Sequence, residues 1–159
     1  MVLCAYTRGV GGDMGVAAKS ARVVVVDDEP ALAYLFAQYL QSSFFQVEWF
    51  SSPTQVLDFL GRQPADLLVS DLIMPGINGL ELIGLAKDLQ PALKVVMVSG
   101  LDPWSWCKGE NPNLQRLDSF LGKPVPLSEL ERCCRQVLRG PTAQRGTLSA
   151  CLRAAFVSC

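Results

Sequence analysis

Ten residues, Leu67-Leu68-Val69-Ser70-Asp71-Leu72-Ile73-Met74-Pro75-Gly76, constrain the fold of this chain more than any other stretch. Leu67 to Ser70 reads as a buried strand that runs straight into an acid, and the Met-Pro-Gly turn beyond Asp71 stops the strand from continuing. Asp71 therefore stands at a strand's C-terminal end. In an open parallel sheet, loops leave and helix N-termini converge at that edge. A lone acid there would mean little, but comparable runs end in further polar groups. Asp27 and Asp28 follow Val23 to Val26, Ser99 follows Lys94 to Val98, and Lys123 follows Ser119 to Gly122.

In chain order, residues 1–21 mix Gly, small residues and isolated charges without a period, as a flexible leader would. Arg22 to Val26, nearly all Val, has the composition of a strand covered on both faces. Glu29-Pro30 opens a helix, since Pro suits a first helical position and an acid suits the positive end of the dipole. Leu32, Leu35, Phe36, Tyr39 and Leu40 would form its apolar stripe. Gln46 to Phe50 is a second strand, and Ser52-Pro53 opens a short helix burying Val56, Phe59 and Leu60. Asp66 to Ser70 is the third strand, after which Asn78 caps a helix whose Leu82, Leu85, Ala86 and Leu89 share a face. Lys94 to Val98 is the fourth. Asp102 to Asn113 then carries Pro103, Pro112, Gly109, Trp104 and Trp106 without helical periodicity, so a fourth helix is expected to be short or irregular, near Asn113 to Leu117. The two Trp are expected to pack over the sheet edge. Ser119 to Gly122 is a fifth strand stopped by Lys123-Pro124, and Ser128-x-x-Glu131 is a capping-box pattern. Leu130, Cys133, Cys134, Val137 and Leu138 continue that last helix to Arg139-Gly140.

Five strand-helix repeats of this kind predict an α/β domain: a doubly wound, five-stranded parallel sheet with helices on both faces and right-handed crossovers. Of the common strand orders, the flavodoxin-like 2-1-3-4-5 fits the strand count and sets strands 1 and 3 side by side. The domain is expected to span residues 22–139, and residues 140–159, too few for an output domain, to be a C-terminal tail. A short helix over residues 147–159, through Leu148, Cys151, Leu152 and Ala155, is one possibility there, a disordered extension the other.

Charge and composition narrow the function. Net charge is −1 with scattered basic residues, so the electrostatic footprint of a nucleic-acid binder is missing. No apolar run approaches the roughly 20 residues a span requires, and a cytoplasmic protein without membrane insertion is the default expectation. Six cysteines (Cys4, Cys107, Cys133, Cys134, Cys151, Cys159) show no C-x-x-C spacing, and no His completes a mixed zinc site or serves as a general base.

If strands 1 and 3 are neighbours, Asp27, Asp28 and Asp71 converge and repel unless a cation joins them. All-oxygen ligation points to Mg²⁺, which accepts one or two carboxylates plus phosphate oxygens. Lys123 and Ser99 add an ammonium and a hydroxyl able to hold a phosphoryl group carried by Asp71. The motifs Val-Asp27-Asp28-Glu, Ser70-Asp71-Leu-Ile-Met-Pro75-Gly-Ile-Asn-Gly79, Val-Ser99-Gly100 and Lys123-Pro124 resemble the receiver domain of two-component response regulators. The resemblance implies that Asp71 accepts phosphate from the phosphohistidine of a partner, a sensor histidine kinase or a histidine phosphotransfer protein, and signals to a downstream protein. It further implies that Asp27 and Asp28 hold Mg²⁺ together with the backbone carbonyl of Ile73, that Ser99 and Lys123 contact the phosphoryl oxygens, and that Phe120 is the aromatic switch. The chain departs from the family between Leu101 and Asn113, where receivers carry a regular fourth helix used for output, and looks like a stand-alone receiver.

Two other classes share parts of this pattern. A Mg²⁺-dependent phosphatase of the haloacid dehalogenase type also uses an Asp nucleophile, but needs a second acid two residues on, where Ile73 stands. A flavodoxin-type cofactor binder needs a Ser/Thr/Gly-rich loop after strand 1, where this chain has Asp27-Asp28-Glu29-Pro30.

Overall fold

Val23 to Val26 are each at most 1% exposed, which requires packing on both faces of the strand they form. Alternation along that strand sends Val24 and Val26 into one apolar cluster and Val23 and Val25 into another. The computed structural model describes residues 20–41, 43 and 45–140. In chain order these form β1 (Arg22–Val26), α1 (Pro30–Gln41), β2 (Gln46–Phe50), α2 (Pro53–Leu60), β3 (Leu67–Ser70), α3 (Gly79–Leu89), β4 (Lys94–Ser99), α4 (Pro103–Trp106), a 3-10 helix (Pro112–Arg116), β5 (Ser119–Gly122) and α5 (Leu127–Leu138). The sheet is parallel throughout, in the expected order β2-β1-β3-β4-β5. Residues of α2 and α3 fill the first cluster, and residues of α1 and α5 the second. Each fully buried Leu, such as Leu40, Leu68 or Leu82, contributes about 2 kcal/mol of transfer free energy.

Several helix faces differ from the sequence reading in detail. On α1 the buried positions are Ala33, Phe36, Ala37 and Leu40, while Leu35 points to solvent. Small residues let a helix approach the sheet closely, and a pattern weighted to large side chains passes over them. Likewise α3 buries Leu80, Leu82, Ile83 and Ala86, and leaves Leu85 and Leu89 about half exposed. Asn78 does close the expected cap on α3, accepting from the N–H groups of Leu80 and Glu81 while the Glu81 carboxylate accepts from the Asn78 N–H. The box expected at Ser128-x-x-Glu131 does not form: α5 starts at Leu127 with Pro126 as its N-cap, Ser128 lies inside the first turn, and Glu131 pairs with Arg135 instead. Ser52 occupies the N-cap of α2 without a side-chain capping bond, its hydroxyl lying 2.8 Å from that of Thr54.

The fourth crossover is short, as expected, but divided. A single turn at Pro103–Trp106, capped by Asp102, precedes the 3-10 helix near the anticipated Asn113. The leader, apart from its last two residues, and the tail beyond Gly140, with the helix considered for residues 147–159, lie outside the described residues. Among the described residues, no helix is long and apolar enough to cross a membrane.

Candidate functional site

Register builds the site. Val26 lies beside Ser70, and the Asp71 N–H continues that ladder to the Val26 carbonyl at 3.0 Å, so the ends of β1 and β3 are adjacent. Ser99 pairs with Gly122, and the Lys123 N–H reaches the Ser99 carbonyl at 2.9 Å. Parallel strands thus deliver Asp27, Asp28, Asp71, Ser99 and Lys123 to one edge of the sheet. Carboxylate oxygens of Asp27, Asp28 and Asp71 lie within 4.8 Å of one another.

Within the cluster the carboxylates are engaged differently. Asp27 is 2% exposed and uses both oxygens: Oδ1 accepts from the Glu29 N–H at 3.0 Å, and Oδ2 from the Lys123 ammonium at 2.7 Å. Asp71 accepts from the Leu72 N–H on Oδ1 at 2.7 Å, while Oδ2 stands 3.5 Å from Lys123 Nζ. Asp28 is exposed and has no hydrogen-bond or ionic partner among the described residues. Burial pushes the Asp71 carboxyl above its ordinary value, helped by the charge of Asp27 and opposed by Lys123, the Leu72 N–H and the Ser99 hydroxyl. For Lys123, burial works against the charged form, but hydrogen bonding and charge from Asp27 and Asp71 outweigh it and hold the ammonium above its usual range. Three clustered carboxylates, only Asp27 and Asp71 of them facing the Lys123 ammonium, favour a further cation, and a small divalent ion with oxygen ligands suits the donor set.

Ile73 sits two residues beyond Asp71 with its side chain 43% exposed, and Leu101, two beyond Ser99, is 51% exposed. Phe120 is not part of the cluster: it lies on β5 three residues before Lys123, half buried, with its ring against Trp104. Three features of the site were invisible in the sequence. The Ser70 hydroxyl, fully buried, donates to the Asp71 carbonyl at 2.8 Å. Gly79 lies directly against that same carbonyl, where any Cβ would collide with backbone. The Leu101 N–H donates to the Ser99 hydroxyl at 3.3 Å. Gly79 closes the motif around Asp71, a signal of its place though not of its reason.

Residues 23–133 match the family model described as "Response regulator receiver domain". The heme response regulator HssR of Staphylococcus epidermidis is 30% identical over 116 residues, covering 73% of this chain and 50% of that protein. The transcriptional regulatory protein GlrR of Escherichia coli is 31% identical over 112 residues, 67% of this chain and 24% of that protein. The chain thus spans half or less of these curated relatives. A CheY-like receiver domain protein from Methanospirillum hungatei has a similar structure, with a TM-score of 0.70 at 24% identity, covering 76% of this chain and 95% of that one. So does the response regulator TrrA of Thermotoga maritima, determined in complex with Mg²⁺-BeF, with a TM-score of 0.65 at 23% identity over 74% of this chain and 98% of that one. At these identities the two structures speak to the fold.

Proposed function

The chain belongs to the response regulator receiver domain family, and from that footing we propose that Asp71 is its phosphoacceptor in a two-component phosphorelay. The observation that carries the reading is the Asp71 carboxylate, with Oδ2 turned toward Lys123 inside a cluster of three acids, two of which face that ammonium. In the transfer, Asp71 Oδ2 attacks phosphorus in line, the new O–P bond forming as the donor's N–P bond breaks and the imidazole leaves with the electron pair. These 159 residues hold no His, so the phosphohistidine lies outside them, on a sensor histidine kinase or a histidine phosphotransfer protein as partner. Lys123 gives up part of its contact with Asp27 to hold a phosphoryl oxygen, and the Ser99 hydroxyl donates to another. Asp28 and Asp71 would hold Mg²⁺ directly, with the Ile73 carbonyl, and Asp27, whose oxygens are already occupied, would act through water. When bound there, the ion neutralises charge on the incoming phosphoryl oxygens.

Phosphorylation then biases a two-state surface. Ser99 turns toward the phosphoryl group, Phe120 fills the space vacated, and the face formed by β4, β5 and α5 changes for a downstream protein. Residues 22–139 act as this receiver unit. The chain is phosphorylated rather than turning over a separate substrate, in keeping with Ile73 where an Asp-nucleophile phosphatase needs its second acid. Incubation with acetyl phosphate and Mg²⁺, followed by intact mass, should show one labile phosphoryl adduct, absent from Asp71→Asn. Undiminished labelling of that variant sinks the assignment.

A further inference from the structure

Ser70 is the one polar side chain of β3, and it is fully buried. Side chains alternate along a strand, so it shares a face with Leu68, which packs in the apolar cluster filled by α2 and α3. A hydroxyl buried there costs free energy unless it is hydrogen-bonded. Its partner is the next residue's backbone: Ser70 Oγ donates to the Asp71 carbonyl oxygen at 2.8 Å. That carbonyl has need of a donor, because the ladder from β1 ends with the Asp71 N–H on Val26, and among the described residues no backbone N–H reaches the Asp71 oxygen. Gly79 stands against the same oxygen, where a Cβ would overlap it.

The held carbonyl belongs to the peptide unit that joins Asp71 to Leu72. Such a unit is planar, so fixing its C=O also fixes the direction of its N–H. The far end of the unit is pinned as well: the Leu72 side chain is fully buried in the same cluster, and the Leu72 carbonyl accepts from the Gly79 N–H at 2.8 Å. The N–H so directed donates back to Asp71 Oδ1 at 2.7 Å. Oδ1 is thereby occupied, and Oδ2 is the oxygen left facing Lys123 Nζ, at 3.5 Å. A short relay results, from hydroxyl to carbonyl and from amide N–H to carboxylate, in which each bond polarises the next.

We propose that Ser70 is a positioning residue for phosphoryl transfer: through the Asp71–Leu72 peptide unit its hydroxyl sets the plane of the Asp71 carboxylate, keeping Oδ1 on the Leu72 N–H and Oδ2 aimed at the incoming phosphorus. Ser70 touches neither the phosphoryl group nor the cation. Its effect passes entirely through the backbone of the acid it precedes. This deepens the phosphoacceptor reading and rests on it. Without the hydroxyl, the Asp71 carbonyl is left buried with no donor, the peptide unit tilts in search of one, and the N–H that selects between the two carboxylate oxygens moves with it.

The test reads the Leu72 amide and the labelling rate together, in the full chain. In the native protein the Leu72 amide proton should resonate well downfield of an unbonded amide and exchange slowly with solvent. Ser70→Ala should move that resonance upfield and speed its exchange. It should also slow labelling of Asp71 by acetyl phosphate with Mg²⁺, followed by intact mass, by about tenfold, since a misplacement of one ångström can cost roughly a hundredfold. Ser70→Thr, which keeps a hydroxyl on a β-branched side chain suited to a strand, should restore both readouts. A native Leu72 amide that is neither shifted nor protected overturns the proposal whatever the variants do. So does labelling of Ser70→Ala at the wild-type rate, or slow labelling with the Leu72 resonance unmoved, which assigns the loss to packing. A Ser70→Thr protein that matches the wild-type urea midpoint yet labels as slowly as Ser70→Ala overturns it too. All of these leave Asp71 as the phosphoacceptor. No adduct on the native chain, or an undiminished one on Asp71→Asn, overturns both.

Discussion

The loops over β1 and β3 and the crossover from β4 to β5 lie at the same edge of one sheet, yet they are held by opposite means. Around Asp71 the backbone is fastened to other stretches, the Asp71 N–H to Val26 and the Gly79 N–H to the Leu72 carbonyl at 2.8 Å, with the Ser70 hydroxyl holding the Asp71 carbonyl locally. By hydrogen bonds, residues 102–110 are fastened chiefly to themselves. On the proposed reading the difference would separate two tasks. Phosphoryl transfer needs groups fixed to a fraction of an ångström before the donor arrives, whereas signalling needs a piece whose displacement costs little.

The strongest way to break that contrast is to disturb the fixed side. Gly79→Ala places a methyl against the Asp71 carbonyl and the Leu72 Cα, backbone atoms that have nowhere to go. It should cost about 3 kcal/mol, at the upper end of overpacking, and should slow labelling of Asp71 in parallel. A urea melt within about 1 kcal/mol of wild type would show that the cradle is softer than its bonding suggests.

Next in size is the anchor at the foot of the crossover, Asp118. Its carboxylate accepts from Lys87 at 2.7 Å, from Lys94 at 3.2 Å and from the Val95 N–H at 2.9 Å, binding the start of β5 to α3 and β4. Burial raises its pKa, but these partners outweigh burial and hold it below the ordinary 3.8. A depressed folded pKa means stability present above 3.8 and lost as pH falls through the lower folded value. Asp118→Asn should therefore cost about 2 kcal/mol at neutral pH, with the deficit shrinking below that pKa. A deficit independent of pH would assign the loss to packing.

Ile73 and Leu101 contribute one exposed apolar side chain from each region, two residues beyond Asp71 and Ser99, and on the proposed reading both flank the approach to a phosphoryl group on Asp71. Hydrolysis needs a water oriented in line behind phosphorus, and neither residue can hold one. Self-dephosphorylation should be slow, with reset left to a phosphatase or to back-transfer. Ile73→Asn and Leu101→Glu should each hasten decay of the phosphorylated protein by about tenfold, equivalent to about 1.4 kcal/mol in the barrier. Equal or slower decay in both would remove these positions from the control of water.

How much of this was legible in the sequence follows the same division. The cradle could be read because its parts are strand ends: a run of Val or Leu fixes the strand, and register then leaves the following acid no other place. Asp27, Asp28, Asp71, Ser99 and Lys123 were found in that way, and the strand order followed from counting repeats. The helix faces were misread where Ala33 and Ala37 make the contact and larger neighbours do not. The crossover resisted because its order comes from Asp102, Asn111 and left-handed turns, local devices without a period. The contact of Trp104 with Phe120 joins residues whose meeting depends on how that turn happens to close.

The two regions are finally joined through α3, and a second glycine on that helix gives the finest test. Gly84 faces the 3-10 helix: Arg116 donates to the Gly84 carbonyl at 3.1 Å and pairs with Asp88 at 2.7 Å, and a Cβ on Gly84 would lie 2.7 Å from the Asn113 amide nitrogen. That neighbour is the end of a rotatable side chain, unlike the backbone that blocks Gly79. Asn113 can swing aside and keep its own N–H bonded to the Asn111 side chain. In the helix interior, Gly→Ala also gains about 1 kcal/mol of propensity. The two effects should nearly cancel, leaving Gly84→Ala within about 0.5 kcal/mol of wild type, an ordinary surface-level change. The same substitution five residues apart on one helix should thus be severe at Gly79 and almost silent at Gly84. A loss at Gly84 of about 2 kcal/mol, far beyond that ordinary range, would mean that the 3-10 helix is clamped as firmly as the acid cradle, and that mobility in the crossover ends at Glu110.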